Sequence, residues 1–265
     1  MSANEFDPLL QKMDDALAGW SEPAERLRLA LAKDELVLYC QPIAALFGED
    51  RYPMAEVLVR LHEEEKALLP PGDFLPVFEY YRLMPDLDRW VVRKAVQHLA
   101  VHKRIPRFSI NLSSQTLEDA AFPKFVALEL VSAGVSGTAL LFEISEADAL
   151  LRPEHSLRFA TGIRAVGCGL MVGGFGRRAA TFMPLKTLRP DYVKVDGVIV
   201  RKLLTAPAAE AKLKAIIRVG EVMKFQIIGE MVEEQNILTR LQALGVAYAQ
   251  GFGIRQPLPI EQLQG

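Results

Sequence analysis

The chain has 265 residues, of which 50% are hydrophobic and 24% charged, and its formal net charge at pH 7 is −2. This length fits one large domain with a full core, and the near-neutral charge excludes the overall basic character of nucleic-acid-binding proteins. No apolar run reaches the roughly 18 residues of a membrane-spanning helix, and the N-terminus lacks the pattern of a signal peptide. Cys40 and Cys168 form neither a zinc pattern nor a disulfide framework. Together, these observations predict a cytoplasmic protein without DNA or RNA partners and without a membrane segment in this chain.

Residues 1–22 are predicted to form a helix that stands apart from the rest of the chain. Apolar side chains recur on one helical face up to Trp20, and Pro23 follows. We favour an extra helix packed on the next domain, because such stripes usually belong to a core; the alternative is a signalling or dimerisation helix that leads in from another domain. The predicted domains are therefore an N-terminal helical extension, 1–22, and a main domain, 23–265.

The main domain alternates short apolar runs with segments of helical spacing. The runs lie near 36–43, 54–61, 108–112, 139–144, 168–172, 191–195, 225–229 and 246–249. Helical spacing recurs between them, as at Leu87, Trp90 and Val91, at Val126, Leu130 and Val131, and at Ile237, Leu238 and Leu241. Gly134 and Gly245 are placed as helix C-caps. About eight runs is the number that a closed barrel needs, so we predict an α/β fold, a TIM-type (β/α)8 barrel with parallel strands.

Polar or glycine residues lie at or just past the C-terminal ends of six of these runs. They are Asn111, Glu143, Gly173, Lys194, Glu230 and Gln250. In a parallel barrel these ends converge on one face, where active sites are found. One strand-end glutamate alone is more often a helix cap or a solvated residue. The complete set predicts a functional site at this face.

Short motifs surround these residues in a fixed order from about residue 25 to 262. They begin at Gln41 (Gln-Pro-Ile), Glu56 (Glu-Val-Leu), Asn111 (Asn-Leu-Ser), Glu143 (Glu-Ile-Ser-Glu), Lys194 (Lys-Val-Asp), Glu230 (Glu-Met-Val-Glu) and Gln250 (Gln-Gly-Phe). Each motif is weak alone, but their order resembles the EAL domain, the phosphodiesterase module for cyclic di-GMP. The resemblance implies an EAL-type barrel.

The resemblance also implies roles for individual residues. Glu56, Asn111, Glu143 and Glu230 match ligands of a pair of Mg²⁺ or Mn²⁺ ions, and oxygen ligands suit such ions. Glu56, Lys194 and Glu230 match catalytic positions. Lys194 would orient water or hold phosphate charge, or else form a structural salt bridge with Asp196 or Glu230. Glu233 resembles a glutamate that supports the metal ligands, or it caps the next helix.

Other positions match contacts to the nucleotide. Gln41 and Arg60 correspond to residues that contact a guanine and a phosphate, and Leu58 between them would pack on the ligand. With Glu56, Asn111, Glu143, Lys194, Glu230 and Gln250, they make up the expected ligand-binding set.

The pattern breaks at Gly173 and Gly174, where active members carry two metal-binding aspartates. Glycine has no side-chain oxygen, so we expect metal affinity to fall by orders of magnitude, given that even the loss of supporting residues costs about 10–100-fold. No cofactor is expected; Mg²⁺ or Mn²⁺ would be needed only if phosphodiesterase activity remains. The next loop begins Phe175-Gly176-Arg177-Arg178, unlike the family loop that couples metal binding to dimerisation.

Arg177 and Arg178 leave two interpretations open. They would neutralise orphaned carboxylates or hold ligand phosphate without metal, since an arginine binds such groups through two donors. Alternatively, they are two solvated side chains. The glycines from Gly173 to Gly176 resemble a phosphate cradle, but a glycine run is usually only a tight turn.

Three functions follow from this sequence. The first is a catalytically impaired EAL domain that binds cyclic di-GMP as a receptor and signals to a protein partner. The second is an active metal-dependent phosphodiesterase that yields linear pGpG. The third is an interaction module that binds no nucleotide. The retained Gln41, Glu56, Arg60 and Gln250 argue against the third, and Gly173 and Gly174 argue against the second; whether the chain forms a homodimer stays open.

Overall fold

The computed structural model describes residues 22–49, 51–62, 68–69, 71–102, 107–177 and 181–263. Apart from Glu22, the predicted extension 1–22 lies outside the described residues, as does Arg178. The strands are β1 (Leu36–Ala45), β2 (Met54–His62), β3 (Leu68–Leu69), β4 (Phe108–Asn111), β5 (Leu140–Ser145), β6 (Gly169–Phe175), β7 (Tyr192–Val195), β8 (Gln226–Gly229), β9 (Tyr248–Ala249) and β10 (Leu258–Pro259).

Eight of these strands close into a barrel. The ring runs β1-β2-β4-β5-β6-β7-β8-β9, and β9 pairs again with β1. From β2 through β4 to β9 the neighbours are parallel. Each barrel strand overlaps one of the predicted apolar runs, and the predicted barrel is confirmed.

The expectation of parallel strands is wrong for β1. Gln41 pairs with Glu56 of β2 in an antiparallel register, and Ala44 pairs in the same sense with Ala249 of β9. The strand also extends past the predicted run, to Ala45. The period of apolar residues identifies a strand but carries no information on its direction.

The start of β1 and the end of β2 form a ribbon that extends beyond the barrel. Pairing between β2 and β4 stops at Val57, whereas pairing between β1 and β2 continues to Leu36 and Leu61. Side chains alternate along a strand, so Leu58 and Arg60 lie on the same face of β2 as Glu56. This β1–β2 ribbon, residues 36–39 and 58–61, therefore rises from the mouth of the barrel.

Helices cover the outside of the barrel. They are α1 (Pro23–Ala32), α2 (Pro71–Tyr80), α3 (Met84–Val101), α4 (Ser114–Leu117), α5 (Phe122–Ala133), α6 (Glu146–Leu151), α7 (Pro153–Ala165), α8 (Met183–Leu188), α9 (Gly197–Val200), α10 (Pro207–Met223) and α11 (Gln235–Ala243). Among these described helices, none is both long enough and apolar enough to cross a bilayer.

The predicted apolar helix faces mostly point inward. Leu87, Trp90 and Val91 of α3 are buried, as are Val126 and Leu130 of α5 and Ile237 and Leu241 of α11. Val131 breaks the pattern, since it is 81% exposed. It neighbours the buried Leu130 but lies past the edge of the inward stripe.

Both predicted helix C-caps adopt the left-handed conformation. Gly134 caps α5 with φ +63°, and Gly245 follows α11 with φ +81°. Glycine adopts this conformation at no steric cost, which explains why the helices end there.

Two layers of core position the mouth of the barrel. Outside, Phe142 of β5 packs edge-on against Phe122 of α5 and Phe159 of α7. Inside, a second buried cluster takes one residue from each of six strands: Ile43, Met54, Leu141, Met171, Tyr192 and Ile228. This apolar layer fills the barrel beneath the predicted site.

Candidate functional site

A cavity of about 510 Å³ opens at the C-terminal ends of the parallel strands. Its lining is Gln41, Glu56, Asn111, Glu143, Lys194, Arg201, Glu230, Met231, Glu233, Gln250, Gly251 and Phe252. Five of the six predicted strand-end residues thus meet in one place, and Gln41 joins them from the antiparallel β1. The sixth, Gly173, does not line this cavity but lies against Glu143.

Lys194 is the centre of this cavity's charge. Its Nζ lies 2.9 Å from Glu143 Oε2, 3.0 Å from Glu56 Oε2 and 3.6 Å from Glu230 Oε1. The side chain is 2% exposed, so these contacts form away from bulk water. A buried ammonium is tolerated only when it is paired, and here three carboxylates surround it.

Glu56 is held by amide side chains as well as by Lys194. Asn111 Nδ2 donates to its Oε1 over 2.6 Å, and Gln250 Nε2 donates to its Oε2 over 2.7 Å. Gln250 also contacts Gln41 Oε1 at 3.2 Å, and Gln41 donates to the Arg255 carbonyl. Both oxygens of Glu56 are therefore engaged within the protein.

The three carboxyls respond differently to this environment. Burial raises the pKa of Glu143 to about 7, against the opposing charge of Lys194. Burial also raises the pKa of Glu230, again opposed by Lys194. Burial alone would raise the pKa of Glu56 as well. The charge of Lys194 and the hydrogen bonds from Asn111, Lys194 and Gln250 outweigh burial and lower the pKa of Glu56.

The ammonium itself is held firmly in its charged form. Burial alone would lower the pKa of Lys194, but the negative charges of Glu143, Glu56 and Glu230 outweigh burial and raise it. Lys194 therefore supplies a fixed positive charge inside a site rich in carboxylates.

The structure shows the contacts of two residues whose roles the sequence left open, although their roles toward a ligand stay predictions. The salt-bridge partners of Lys194 include Glu230, whereas Asp196 caps α9, accepting from the Val198 N–H over 2.8 Å. Glu233 lines the cavity. The residue at the N-cap of α11 is Glu234, whose side chain makes no capping hydrogen bond.

Gly173 and Gly174 lie within β6, rather than after it as the apolar run indicated. The register between β6 and β7 shifts between Val172 and Phe175, and Gly174 has φ +62°. This is a β-bulge, a position where glycine supplies the left-handed backbone. The predicted tight turn is thus an irregularity inside a strand.

The space beside Gly173 is already filled. A Cβ added there would lie 1.9 Å from Glu143 Oε1, whereas among the described residues a Cβ at Gly174 would meet only Asp196 Oδ2, at 3.9 Å. Glu143 therefore occupies the volume that a side chain at position 173 would need. A side chain at position 173 would therefore require Glu143 to shift.

The loop after β6 is held by hydrogen bonds with two residues, Glu146 and Lys212, to which the sequence analysis assigned no role. The Gly176 N–H donates to Glu146 Oε1 over 3.0 Å, and Lys212 Nζ donates to the Gly176 carbonyl. Arg177 is exposed and does not line the cavity. Its predicted contact with phosphate or with orphaned carboxylates stays a prediction, and that of Arg178 lies outside the described residues.

The donor set does not fit the metal pair that the resemblance implies. Mg²⁺ requires nearly octahedral coordination by oxygen. Here the Lys194 ammonium lies among the three glutamates, and both oxygens of Glu56 accept hydrogen bonds. Across the part of the chain that the structure describes, no group of three or more His, Cys, Asp or Glu side chains is arranged to hold a metal ion.

Leu58 and Arg60 lie on the β1–β2 ribbon rather than in the cavity. Leu58 lines a separate, smaller recess, which shares Asn111 with the main cavity. The Arg60 guanidinium lies 5.4 Å from the centre of the Tyr39 ring and donates to the Val59 carbonyl over 2.8 Å. Together with Glu56 they form a continuous face that leads out of the cavity.

Sequence reasoning missed four residues of the lining: Arg201, Met231, Gly251 and Phe252. Met231 and Phe252 lie inside motifs that were used for recognition, directly after Glu230 and Gly251. The sequence did contain a signal for these two residues. An apolar residue on a loop, beside polar residues at a strand end, faces either the site or the solvent. Arg201 carries no such signal.

Comparisons with known proteins agree with this architecture. A family model described as the EAL domain matches residues 24–257. The cyclic di-GMP phosphodiesterase PdeB of Shewanella oneidensis is 32% identical over 240 residues, which cover 89% of this chain and 28% of that protein. The chain spans about a third of the length of the first curated relatives that it matches.

Two solved structures share the barrel. One is the PaMucR phosphodiesterase in complex with c-di-GMP, with a TM-score of 0.83 and 27% identity, covering 91% of this chain and 99% of that chain. The other is the FimX EAL domain from Pseudomonas aeruginosa bound to c-di-GMP, with a TM-score of 0.83 and 28% identity, covering 89% and 96%. From the family match and the shared barrel with its polar mouth, we conclude that the chain belongs to the EAL domain family.

Proposed function

We propose that this chain is a catalytically impaired EAL domain that binds cyclic di-GMP and passes that signal to a partner protein. The supporting observation is in β6, where Gly173 and Gly174 supply no side-chain oxygen and Glu143 fills the volume beside Gly173. Lys194 Nζ lies 2.9 Å from Glu143 and 3.0 Å from Glu56, so two of the remaining carboxylates are already paired. Hydrolysis by a metal pair depends on positioning both ions.

Binding of the nucleotide is supported by the polar groups that remain. Gln41, Asn111 and Gln250 offer amide donors and acceptors for a base or ribose. Lys194, Arg201 and, on the ribbon, Arg60 offer positive charge for phosphates. We propose that the ligand lies from the cavity along the face of Glu56, Leu58 and Arg60.

A second candidate is an active Mg²⁺- or Mn²⁺-dependent phosphodiesterase that gives linear pGpG. The similarity to PdeB, which bears the name of a phosphodiesterase, favours it. Four residues of the implied ligand set, Glu56, Asn111, Glu143 and Glu230, also line one cavity. The arrangement around Lys194 and Gly173 weighs against it.

One experiment separates these functions. Cyclic di-GMP is titrated calorimetrically into the protein in chelator and in millimolar Mn²⁺, and the same samples are then assayed for the linear product. We expect binding in both conditions and no linear product. Turnover near about 1 s⁻¹ or above would contradict the proposal and favour the phosphodiesterase. Absence of both binding heat and thermal shift would favour an interaction module without nucleotide.

Arg60→Ala should weaken binding of cyclic di-GMP. A hydrogen bond to a charged group contributes about 1.5–3 kcal/mol, which corresponds to roughly 10–150-fold in affinity. The matched control is Arg82→Ala, because Arg82 pairs with Glu118 on the surface and does not line the cavity. Calorimetric affinities that fall equally in both variants would contradict a specific role for Arg60.

A further inference from the structure

Met231 has an unusual backbone for its residue type. Of the non-glycine residues described with positive φ, Asp34, Arg82, Arg189 and Lys224 each lie within two residues of the C-terminal end of a helix. Met231, at φ +54°, follows β8 instead. A non-glycine residue in this conformation without a helix end to explain it is strained, and such strain is found at ligand sites.

The loop after β8 is locked by close backbone packing against the loop after β9. The Val232 N–H donates to the Gln250 carbonyl and the Gly253 N–H donates to the Val232 carbonyl, each over 3.0 Å. A Cβ added to Gly251 would lie 2.2 Å from Val232 N, so only glycine allows this approach. Phe252, between the two glycines, is therefore fixed beside the loop that carries Met231.

Both apolar side chains remain in contact with solvent. Met231 is 50% exposed and Phe252 is 62% exposed, and both line the cavity that contains Lys194. Met231 also lies over the start of α9, where a Cβ on Gly197 would be 2.5 Å from its Sδ. A cavity lined mainly by charged and amide groups thus has an apolar rim on one side.

We propose that Met231 and Phe252 form an apolar subsite that binds a planar heterocyclic base, here a guanine of cyclic di-GMP; this inference rests on the proposed function. A polarisable thioether and a phenyl ring both make favourable contacts with the faces and edges of aromatic rings. Burial of a base there would remove solvent-exposed apolar surface. The strained backbone at Met231 is kept because it holds the thioether at the mouth of the cavity.

The test is Met231→Gly, because glycine adopts positive φ without strain. We expect an unchanged or higher melting temperature, together with an affinity for cyclic di-GMP that falls about three- to tenfold. Phe252→Ala should weaken binding by a similar factor, and Met231→Leu, which keeps the apolar bulk, should retain most of the affinity. Calorimetric titration and thermal unfolding of the full chain measure both quantities.

Lys224→Gly is the matched control. Lys224 has φ +67° and precedes β8, so it lies at the opposite end of the same strand. Lys224→Gly should also have an unchanged or higher melting temperature, because it places glycine at a positive φ. It should keep the parent's affinity for cyclic di-GMP. A Met231→Gly protein that binds as tightly as the parent would overturn this inference alone. A parent protein that binds no cyclic di-GMP would overturn both this inference and the proposed function.

Discussion

Lys194→Met should destabilise the folded protein by about 3–5 kcal/mol, the cost of removing one partner of a buried ion pair. The change leaves Glu56, Glu143 and Glu230 facing one another around a neutral side chain of similar length. The loss should be visible as a lower free energy of unfolding in chemical denaturation, and affinity for an anionic ligand should fall as well.

The loss at Lys194→Met should also depend on pH. Burial already raises the pKa of Glu143 to about 7, and without the ammonium we expect the carboxyl pKa values to rise further. At pH values between the ordinary pKa of a glutamate and such a raised pKa, the folded protein binds more protons than the unfolded chain. The free energy of unfolding therefore falls as pH rises, and the gap between variant and parent should widen from about pH 5 to about pH 8.

Lys214→Met provides the control for this experiment. Lys214 pairs with Glu210 Oε1 at 2.7 Å on the surface, where its side chain is 51% exposed. The same substitution should change the free energy of unfolding there by less than about 1 kcal/mol. If Lys194→Met and Lys214→Met lower the free energy of unfolding equally, the buried cluster of Lys194 and its three glutamates stabilises the fold no more than a surface ion pair does.

Gly173→Asp combined with Gly174→Asp should restore metal binding more readily than hydrolysis. The new carboxylates would join Glu56 and Asn111 as oxygen ligands. A side chain at position 173 would force Glu143 to shift, since its Cβ would lie 1.9 Å from Glu143 Oε1. Hydrolysis further requires a water held in line within about 3–3.5 Å of phosphorus, and the loop at Arg177 is not that of an active member of the family.

The double variant is tested by calorimetry with Mn²⁺ and by assay of the linear product. Without metal it should bind cyclic di-GMP less well than the parent, because two anionic groups are added beside an anionic ligand; Mn²⁺ should reverse that loss. Full activity from the two substitutions would show that the loop matters little. Unchanged metal affinity would show that these positions do not serve the site.

The single variants separate two causes of instability. Gly173→Asp disturbs the contact between Glu143 and Lys194, whereas Gly174→Asp, at φ +62°, meets backbone strain of roughly 1–3 kcal/mol. Gly48→Asp is the control for strain alone, since Gly48 has φ +89° and no atom within 4 Å of an added Cβ. Gly174→Asp and Gly48→Asp should lose similar stability.

Much of the fold was predictable because its signals are local. Each barrel strand is a short apolar run, and the residues that follow these runs meet because parallel strands end on one face. This reasoning predicts that five residues lie together, and the structure confirms that all five line one cavity: Asn111, Glu143, Lys194, Glu230 and Gln250. Their roles toward a ligand stay predictions.

What the sequence did not reveal depends on long-range contacts. The antiparallel direction of β1 has no local signature, because apolar periodicity is the same in both directions. Two of the three carboxylates around Lys194 come from residues more than fifty positions away in the sequence, Glu56 and Glu143. Likewise, the positive φ of Met231 occurs in a loop that packs against another loop distant in sequence, and a methionine alone gives no signal of it.

The direction of β1 also decides where the upstream chain joins the barrel. Leu36, the first residue of β1, pairs with Leu61 at the far end of β2. In a barrel of parallel strands alone, the first strand would begin at the opposite face. Here α1 leads directly into the β1–β2 ribbon, whose other strand carries Leu58 and Arg60. A displacement of that ribbon therefore reaches the preceding helix through the backbone itself, without crossing the barrel.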